Sequence, residues 1–377
     1  MSVFDRSLVP RMLGAGSYGC VYYPPPGDCS TCKDLPHGSR KPRVCSHGVV
    51  KVMDENSANE EIELLRRVGR IDPRGHFHWR LLKVCPAPKS IDDWPVDDAG
   101  RPCPNDLGPN PKLLYFPYGG RPFTDLVQGS DIFSLVDLLA MRRVFLGLRT
   151  FQKNGFVHAD IKPANLVYVR SSHSPSLSLP FYIKFIDFSL SFSATRPSLT
   201  YATYGFWPPE TILLTSHRTS SASTLKSYAK KARIKALEFA TTKSPAALEA
   251  KMDSQMEDPR FSGWLDQMKT WHDSPSSLRE IVRTKFDIYG LGVTLMALHT
   301  FGNFSSELRT NSRFMQGLKG LAQRAMAFDA RARPSATVLY AMYKDLLSTA
   351  FSQDVLAEGT KKLGPVSIPP SIRPLSS

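Results

Sequence analysis

An α+β fold is what the sequence predicts, strand-rich over the first hundred residues and helical beyond. Three observations carry that expectation. PRMLGAGSYGCVYY (10–23) sets a glycine cluster between β-formers, as two strands joined by a tight loop require. HGVVKVM (47–53) reads as a buried strand, and ANEEIELLRRV (58–68) puts Ile62, Leu65 and Val68 on one helical face. DIYGLGVTLMALHTF (287–301) is apolar on every side, the pattern of a helix at a domain centre.

The remaining elements follow in chain order. Residues 70–112 read as irregular, with a strand near WRLLKVC (79–85) and then a long Pro/Asp loop, before LLYFPYGG (113–120). Between 130 and 155 the apolar positions 132, 135, 136, 139, 144, 148 and 151 recur mostly at intervals of three and four, which predicts one long helix stopped by Asn154–Gly155. Strand-like segments bracket a Ser/Pro hairpin tip at 171–180, and FYIKFIDFSLSF (181–192) follows. Residues 211–280 are polar and basic, with one helix predicted at TLKSYAKKARIKALEFA and read as a solvated face. Residues 351–377 are expected to form a disordered tail, and no internal repeat is visible.

Bulk composition narrows the function classes. With 377 residues and 42% hydrophobic content the chain can bury a sizeable core. No window approaches 18 uninterrupted apolar residues and the start lacks a signal-peptide pattern, so no membrane span and an intracellular location are expected. A formal charge of +14 favours acidic partners, among them acidic protein substrates, nucleic acid or an anionic membrane surface. All six cysteines (Cys20, Cys29, Cys32, Cys45, Cys85, Cys103) fall in the first 103 residues, where an intracellular chain is expected to keep free thiols or metal ligands. Cys29, Cys32, His37, Cys45 and His47 could hold zinc, although their spacing matches no standard finger.

The chemistry concentrates in GFVHADIKPANLVY (155–168), where Asp160, Lys162 and Asn165 share one short turn. Each is a poor nucleophile. A division of labour fits better: Asp160 accepts a proton, Lys162 neutralises an anion and Asn165 coordinates a hard cation. That set suits phosphoryl transfer. Gly14-Ala15-Gly16-Ser17-Tyr18-Gly19 is a weak signal alone, but Cys20-Val21-Tyr22-Tyr23 and prolines follow it, which excludes the helix that a dinucleotide fingerprint needs.

Taken together, LGAGSYGCV (13–21), VVK ending at Lys51, a helical Glu61, HADIKPAN (158–165), Asp187-Phe188, PPE (208–210), DIYGLG (287–292) and ARP (332–334) form an ordered set that resembles the eukaryotic-type Ser/Thr protein kinase family over residues 10–345. The opening is similar to that of kinases of large double-stranded DNA viruses, which would place the chain in the host cytoplasm or nucleus. The resemblance implies a two-lobed α+β fold, with a small β-rich lobe at 1–119 and a larger helical lobe at 120–350. It implies ATP and Mg²⁺ as well. ATP would lie under Leu13, Gly14, Ala15, Gly16, Ser17, Tyr18, Gly19, Cys20 and Val21, with Lys51 on its phosphates and Glu61, rather than Glu60 or Glu63, holding Lys51. Val21, Val49 and Val167 would enclose the adenine, beside a hinge at 116–119. Asp160, Lys162 and Asn165 would be catalytic, and Asn165 and Asp187 would hold the metal. Glu210–Arg333 would be a structural ion pair, and Asp287 would anchor the backbone near His158, itself a packed structural histidine.

Departures from the family pattern are Ala159 for the usual Arg, Ser189 for the usual Gly, and only ten residues between Lys51 and Glu61. Ala159 predicts activity without phosphorylation of the 189–203 loop, because a loop phosphate would lack its usual cation. The 211–280 insertion is expected to recruit substrate. Two rival readings are a catalytically silent binding scaffold and a nucleic-acid platform.

Overall fold

The computed structural model describes residues 10–16, 19–23, 25, 48–87, 94–97, 100–103, 107–169, 182–195, 199, 204–215, 221–256 and 259–363. A five-stranded antiparallel sheet occupies the N-terminal region, built from β1 (Arg11–Gly16), β2 (Gly19–Tyr23), β3 (Gly48–Met53), β4 (Lys83–Pro86) and β5 (Lys112–Pro117) in the order β1-β2-β3-β5-β4. Strand alternation sorts its side chains. Cys20, Tyr22, Val50, Val52, Leu113 and Tyr115 fall on one face with Met12, Cys85 and Leu107, while Met53 and Leu114 fall on the other against Ala58 and Ile62 of α1 (Glu55–Ile71). Asp54 caps α1 by accepting from the Ser57 amide at 2.9 Å. The buried stripe of α1 is Ala58, Glu61, Ile62, Leu65 and Val68, so Glu61 rides on the same face as the apolar residues.

The larger part is helical. β6 (Arg121–Pro122), α2 (Thr124–Val127) and β7 (Ile132–Phe133) lead into α3 (Leu135–Ala140) and α4 (Arg142–Lys153). The single helix expected over 130–155 is therefore interrupted. β7 pairs in parallel with β12 (Asn303–Phe304), Ser134 and Asp137 form a capping box that starts α3 late, and Met141 separates α3 from α4. The expected stop holds: Asn154 follows α4, and Gly155 adopts a left-handed φ of 62°.

β8 (Phe156–Val157), β9 (Leu166–Val169), β10 (Tyr182–Phe185) and β11 (Phe192–Ser193) form small sheets, β10-β9-β6 and β11-β8, that frame the 158–165 turn. The 171–180 tip lies outside the described residues. Helices α5 (Ala222–Ala240), α6 (Pro245–Met256), α7 (Pro259–Asp273), α8 (Pro275–Phe301), α9 (Ser306–Thr310), α10 (Ser312–Ala325), α11 (Ala336–Ala350) and α12 (Gln353–Leu363) complete the chain. α8 is buried continuously from Phe286 to Leu298 and forms the axis on which α10 and α5 pack.

Three expectations are corrected. Cys20 and Cys103 form a disulfide with Cα atoms 5.9 Å apart, and Cys85 is disulfide-bonded as well. The free-thiol reading fails because the outer face of the sheet brings β2 and the 100–103 segment together. Cys29, Cys32, His37, Cys45 and His47 lie outside the described residues. Second, the 211–280 segment is no surface appendage: Leu225, Tyr228, Ala229, Ala232, Ala236 and Leu237 of α5, with Trp264, Met268 and Trp271 of α7, are buried in the main core. Each large side chain so buried contributes about 1.5–3 kcal/mol. Third, the expected tail begins later, because α12 packs on α3 with Leu363 buried; residues 364–377 lie outside the described residues.

Candidate functional site

The sheet meets the helical part at a cluster of charged side chains. Lys51 projects from β3 on the face opposite Cys20, and its Nζ lies 2.6 Å from Glu61 Oε2 and 3.3 Å from Asp187 Oδ1. Ten residues suffice for the first contact because β3 runs into α1 through Asp54 alone. Glu61 is 3% exposed, which singles it out from the exposed Glu60 and Glu63. Burial alone would lower the Lys51 pKa, but the Glu61 and Asp187 carboxylates outweigh it and hold the ammonium charged. Burial likewise works against ionised Asp187, yet Lys51, the Ser189 hydroxyl and Lys162 bring its carboxyl down to about 2. Ser189 Oγ donates to Asp187 Oδ1 at 2.8 Å, so the residue standing where glycine was expected acts on the same oxygen as Lys51.

The 158–165 turn is pinned from below by α8. Asp287 accepts the backbone N–H groups of His158 (2.8 Å) and Ala159 (2.9 Å). Ala159 at φ 63° and Asp187 at φ 58° are the non-glycine residues with positive φ among the described residues, and both sit at this site. Such backbone costs about 1–3 kcal/mol and persists where surrounding bonds enforce it. His158 is fully buried 4.6 Å from the Phe188 ring and accepts the Asp160 amide on Nδ1. Burial lowers its pKa to about 4, so it stays neutral. Phe188 and Leu65 belong to one continuous core, which joins α1 to the turn.

Asp160 is the most heavily hydrogen-bonded carboxylate here. Asn165 Nδ2 donates to its Oδ2 at 2.6 Å, Lys162 Nζ lies 2.9 Å from the same oxygen, and Tyr204 OH donates to Oδ1 at 2.9 Å. Asn165 thereby spends its nitrogen on Asp160 and keeps its side-chain oxygen. Asp187 Oδ2 makes no hydrogen bond among the described residues. Two oxygen donors suit a hard cation that fills the rest of its shell with water or ligand oxygens. Among the described residues no group of three His, Cys, Asp or Glu side chains converges on a metal position.

Sequence reasoning missed Tyr204 and Trp207. Trp207 Nε1 donates to the Ala159 carbonyl at 2.6 Å, and Ser191 Oγ donates to the His158 carbonyl at 2.9 Å. With the β11–β8 pairing, these bonds tie the 187–195 and 204–207 segments to the turn. Of the glycine cluster, Gly14 and Gly19 stand on β1 and β2, and Ser17 and Tyr18 lie outside the described residues. Gly19 has φ 149°, and a Cβ there would lie 2.0 Å from the Val52 carbonyl, so only glycine fits. Leu13 and Ala15 are exposed and Val21 is half-buried, whereas the Cys20 side chain is locked in its disulfide on the outer face. No known protein-family model matches the chain, and no curated protein matches it.

Proposed function

We propose that the chain is a Ser/Thr protein kinase, transferring the γ-phosphoryl group of ATP to hydroxyls of protein substrates. The observation that carries this reading is Lys51 held between Glu61 and Asp187, beside an Asp160–Lys162–Asn165 turn. The same reading takes the small sheet and the larger helical part as the two lobes of a kinase fold. Gly14 to Gly19 would cover the phosphates with backbone N–H groups, and Leu13, Val21, Val49 and Val167 would enclose the adenine. Lys51 would neutralise the α- and β-phosphates. Asp160 would orient the acceptor hydroxyl and take its proton as the hydroxyl oxygen bonds to phosphorus and the β–γ bridging bond breaks, releasing ADP. Lys162 would balance charge on the group in flight. Asn165 and Asp187 would hold Mg²⁺, which supplies charge neutralisation at the phosphates when bound.

No covalent intermediate is required, since positioning and charge carry the reaction. The charge of +14 fits acidic protein substrates, and an intracellular placement belongs to the same proposal. The test is transfer of label from γ-labelled ATP to a Ser/Thr peptide library, run beside Asp160→Asn. Label on Ser or Thr that the variant loses supports the reading. ATP binding without transfer above the variant's level would instead favour the silent scaffold.

A further inference from the structure

A candidate second site lies among helices α5, α8 and α10. They enclose a cavity of about 320 Å³, at the lower end of the ~300–1,000 Å³ range of small-molecule sites. None of the charged residues around Asp160 lines it. Its walls are apolar, from Leu237 of α5, Met296 of α8, and Met326 just beyond α10. The charged groups it presents, among the described residues, are of one sign. Arg233, Lys243 and Lys319 line it, and among the described residues no carboxylate does. Lys243 and Lys319 are exposed, which puts them at the mouth, while Arg233 is half-buried.

Among the described residues none of these cations has a carboxylate partner. Arg233 donates to the Met326 carbonyl at 2.7 Å and to Tyr289 OH at 3.3 Å, both through a single nitrogen, which leaves further N–H donors on the guanidinium. Lys243 and Lys319 have no ion-pair partner among the described residues. Burial and the Lys319 charge lower the pKa of His299, also on the wall, which favours its neutral form. Thr300 Oγ1 shares its one proton between the Ala240 and Met296 carbonyls, so its donor is spent. Three uncompensated cations around an apolar hollow repel one another, and this arrangement is relieved by an anion that brings its own apolar body.

We propose that this cavity binds a small amphipathic anion, an alkyl or aryl chain ending in a carboxylate or phosphate. The chain lies against Leu237, Met296 and Met326, and the head meets Arg233, Lys243 and Lys319. The site needs no part of the phosphotransfer reading, and its test does not use activity.

The probe is octanoate, added to full-length protein carrying ¹³C-methyl methionine, with the Met296 and Met326 signals assigned through Met→Leu variants. Octanoate is expected to move both signals saturably, and Lys243→Glu/Lys319→Glu should weaken its binding by about tenfold or more. Both lysines are exposed, so an unchanged melting temperature separates lost binding from lost folding. Octanamide, equally long but neutral, is expected to bind about tenfold more weakly. The proposal is overturned if octanoate leaves both methyl signals unmoved at millimolar concentration, if octanamide binds as well as octanoate, or if the double variant binds octanoate undiminished. It is also overturned if only a Glu-rich peptide, and not octanoate, shifts the two methyls, which would make the cavity part of a protein docking surface.

Discussion

Two ion-paired clusters organise this chain, Glu210–Arg333 across 123 residues and Lys51 between nearby Glu61 and distant Asp187, and they differ in what each leaves over. Arg333 is 1% exposed and gives its guanidinium to both Glu210 oxygens, the second at 2.9 Å, and to the carbonyls of Ala327 (2.7 Å) and Phe328 (3.0 Å). Four of its five N–H donors are spent inside the protein. At the other pair, Lys51 is shared between Glu61 and Asp187, and the Asp187 side chain is 36% exposed with an oxygen to spare. A consumed pair can only hold structure, whereas an under-used one is placed to take a ligand.

The largest effect expected from breaking this contrast is at Arg333. Arg333→Ala leaves Glu210 buried without its cation and should cost about 3–5 kcal/mol of stability, read from urea unfolding. A loss under about 1 kcal/mol would show that the pair is dispensable and the contrast false.

At the second pair the effect should fall on rate. Under the proposed reaction, Lys51→Met, Asp160→Asn and Asp187→Ala each lose at least ~100-fold in kcat/KM, or about 2.7 kcal/mol of transition-state stabilisation. Near-native transfer by Asp160→Asn, with Lys162 and Asn165 intact, would sink Asp160 as the base.

A third prediction sharpens the comparison through pH, because the turn and the α8 carboxylate beneath it hold two opposed titrations. Folded His158 resists protonation until about pH 4, while the unfolded histidine protonates near 6.5, so this residue subtracts stability as pH falls through that window. Asp287 is raised by burial from 3.8 to about 6, against the pull of the two amides that it accepts. The folded state therefore gains a proton on Asp287 first, and this residue adds stability over nearly the same window. Asp287→Asn removes the second contribution and keeps the first. The variant should lose about 2 kcal/mol more than wild type between about pH 6.5 and 4.5 in urea unfolding. Parallel curves would show that Asp287 is ionised throughout.

The charged residues of the site were legible because each motif is local: Asp160, Lys162 and Asn165 share six residues, and Glu61 stands on a helix whose register can be counted. What was not legible depends on distance in the fold. α5 buries Ala229, Ala232, Ala236 and Ala240, and small side chains between lysines read as a solvated helix although they allow close packing on α8. The late start of α3 goes with the pairing of β7 to β12, some 170 residues away in sequence. The disulfide was missed because compartment reasoning replaced geometry, and 83 residues separate its partners.

Tyr204 is a case of the same kind, since nothing local connects it to Asp160 across 44 residues, and it yields the smallest predicted effect. Burial first, and then the Asp160 charge and their hydrogen bond, raise the Tyr204 pKa, so the phenol remains a donor at any working pH. Asn165 and Lys162 already occupy Oδ2 of Asp160, and Tyr204 takes Oδ1. In the proposed reaction an acceptor hydroxyl would have to share that oxygen or displace the phenol. Tyr204→Phe removes the competing donor while a phenyl ring keeps the contacts with Phe206 and Trp207, at 5.6 and 5.4 Å between centroids. The proposed kinase should then gain about threefold in kcat/KM, carried by KM for the peptide rather than by KM for ATP. Initial rates across peptide concentrations measure it. A tenfold fall in kcat instead would show that the phenol holds the Asp160 carboxylate in its working orientation, making Tyr204 a positioning residue rather than a competitor for the acceptor's place.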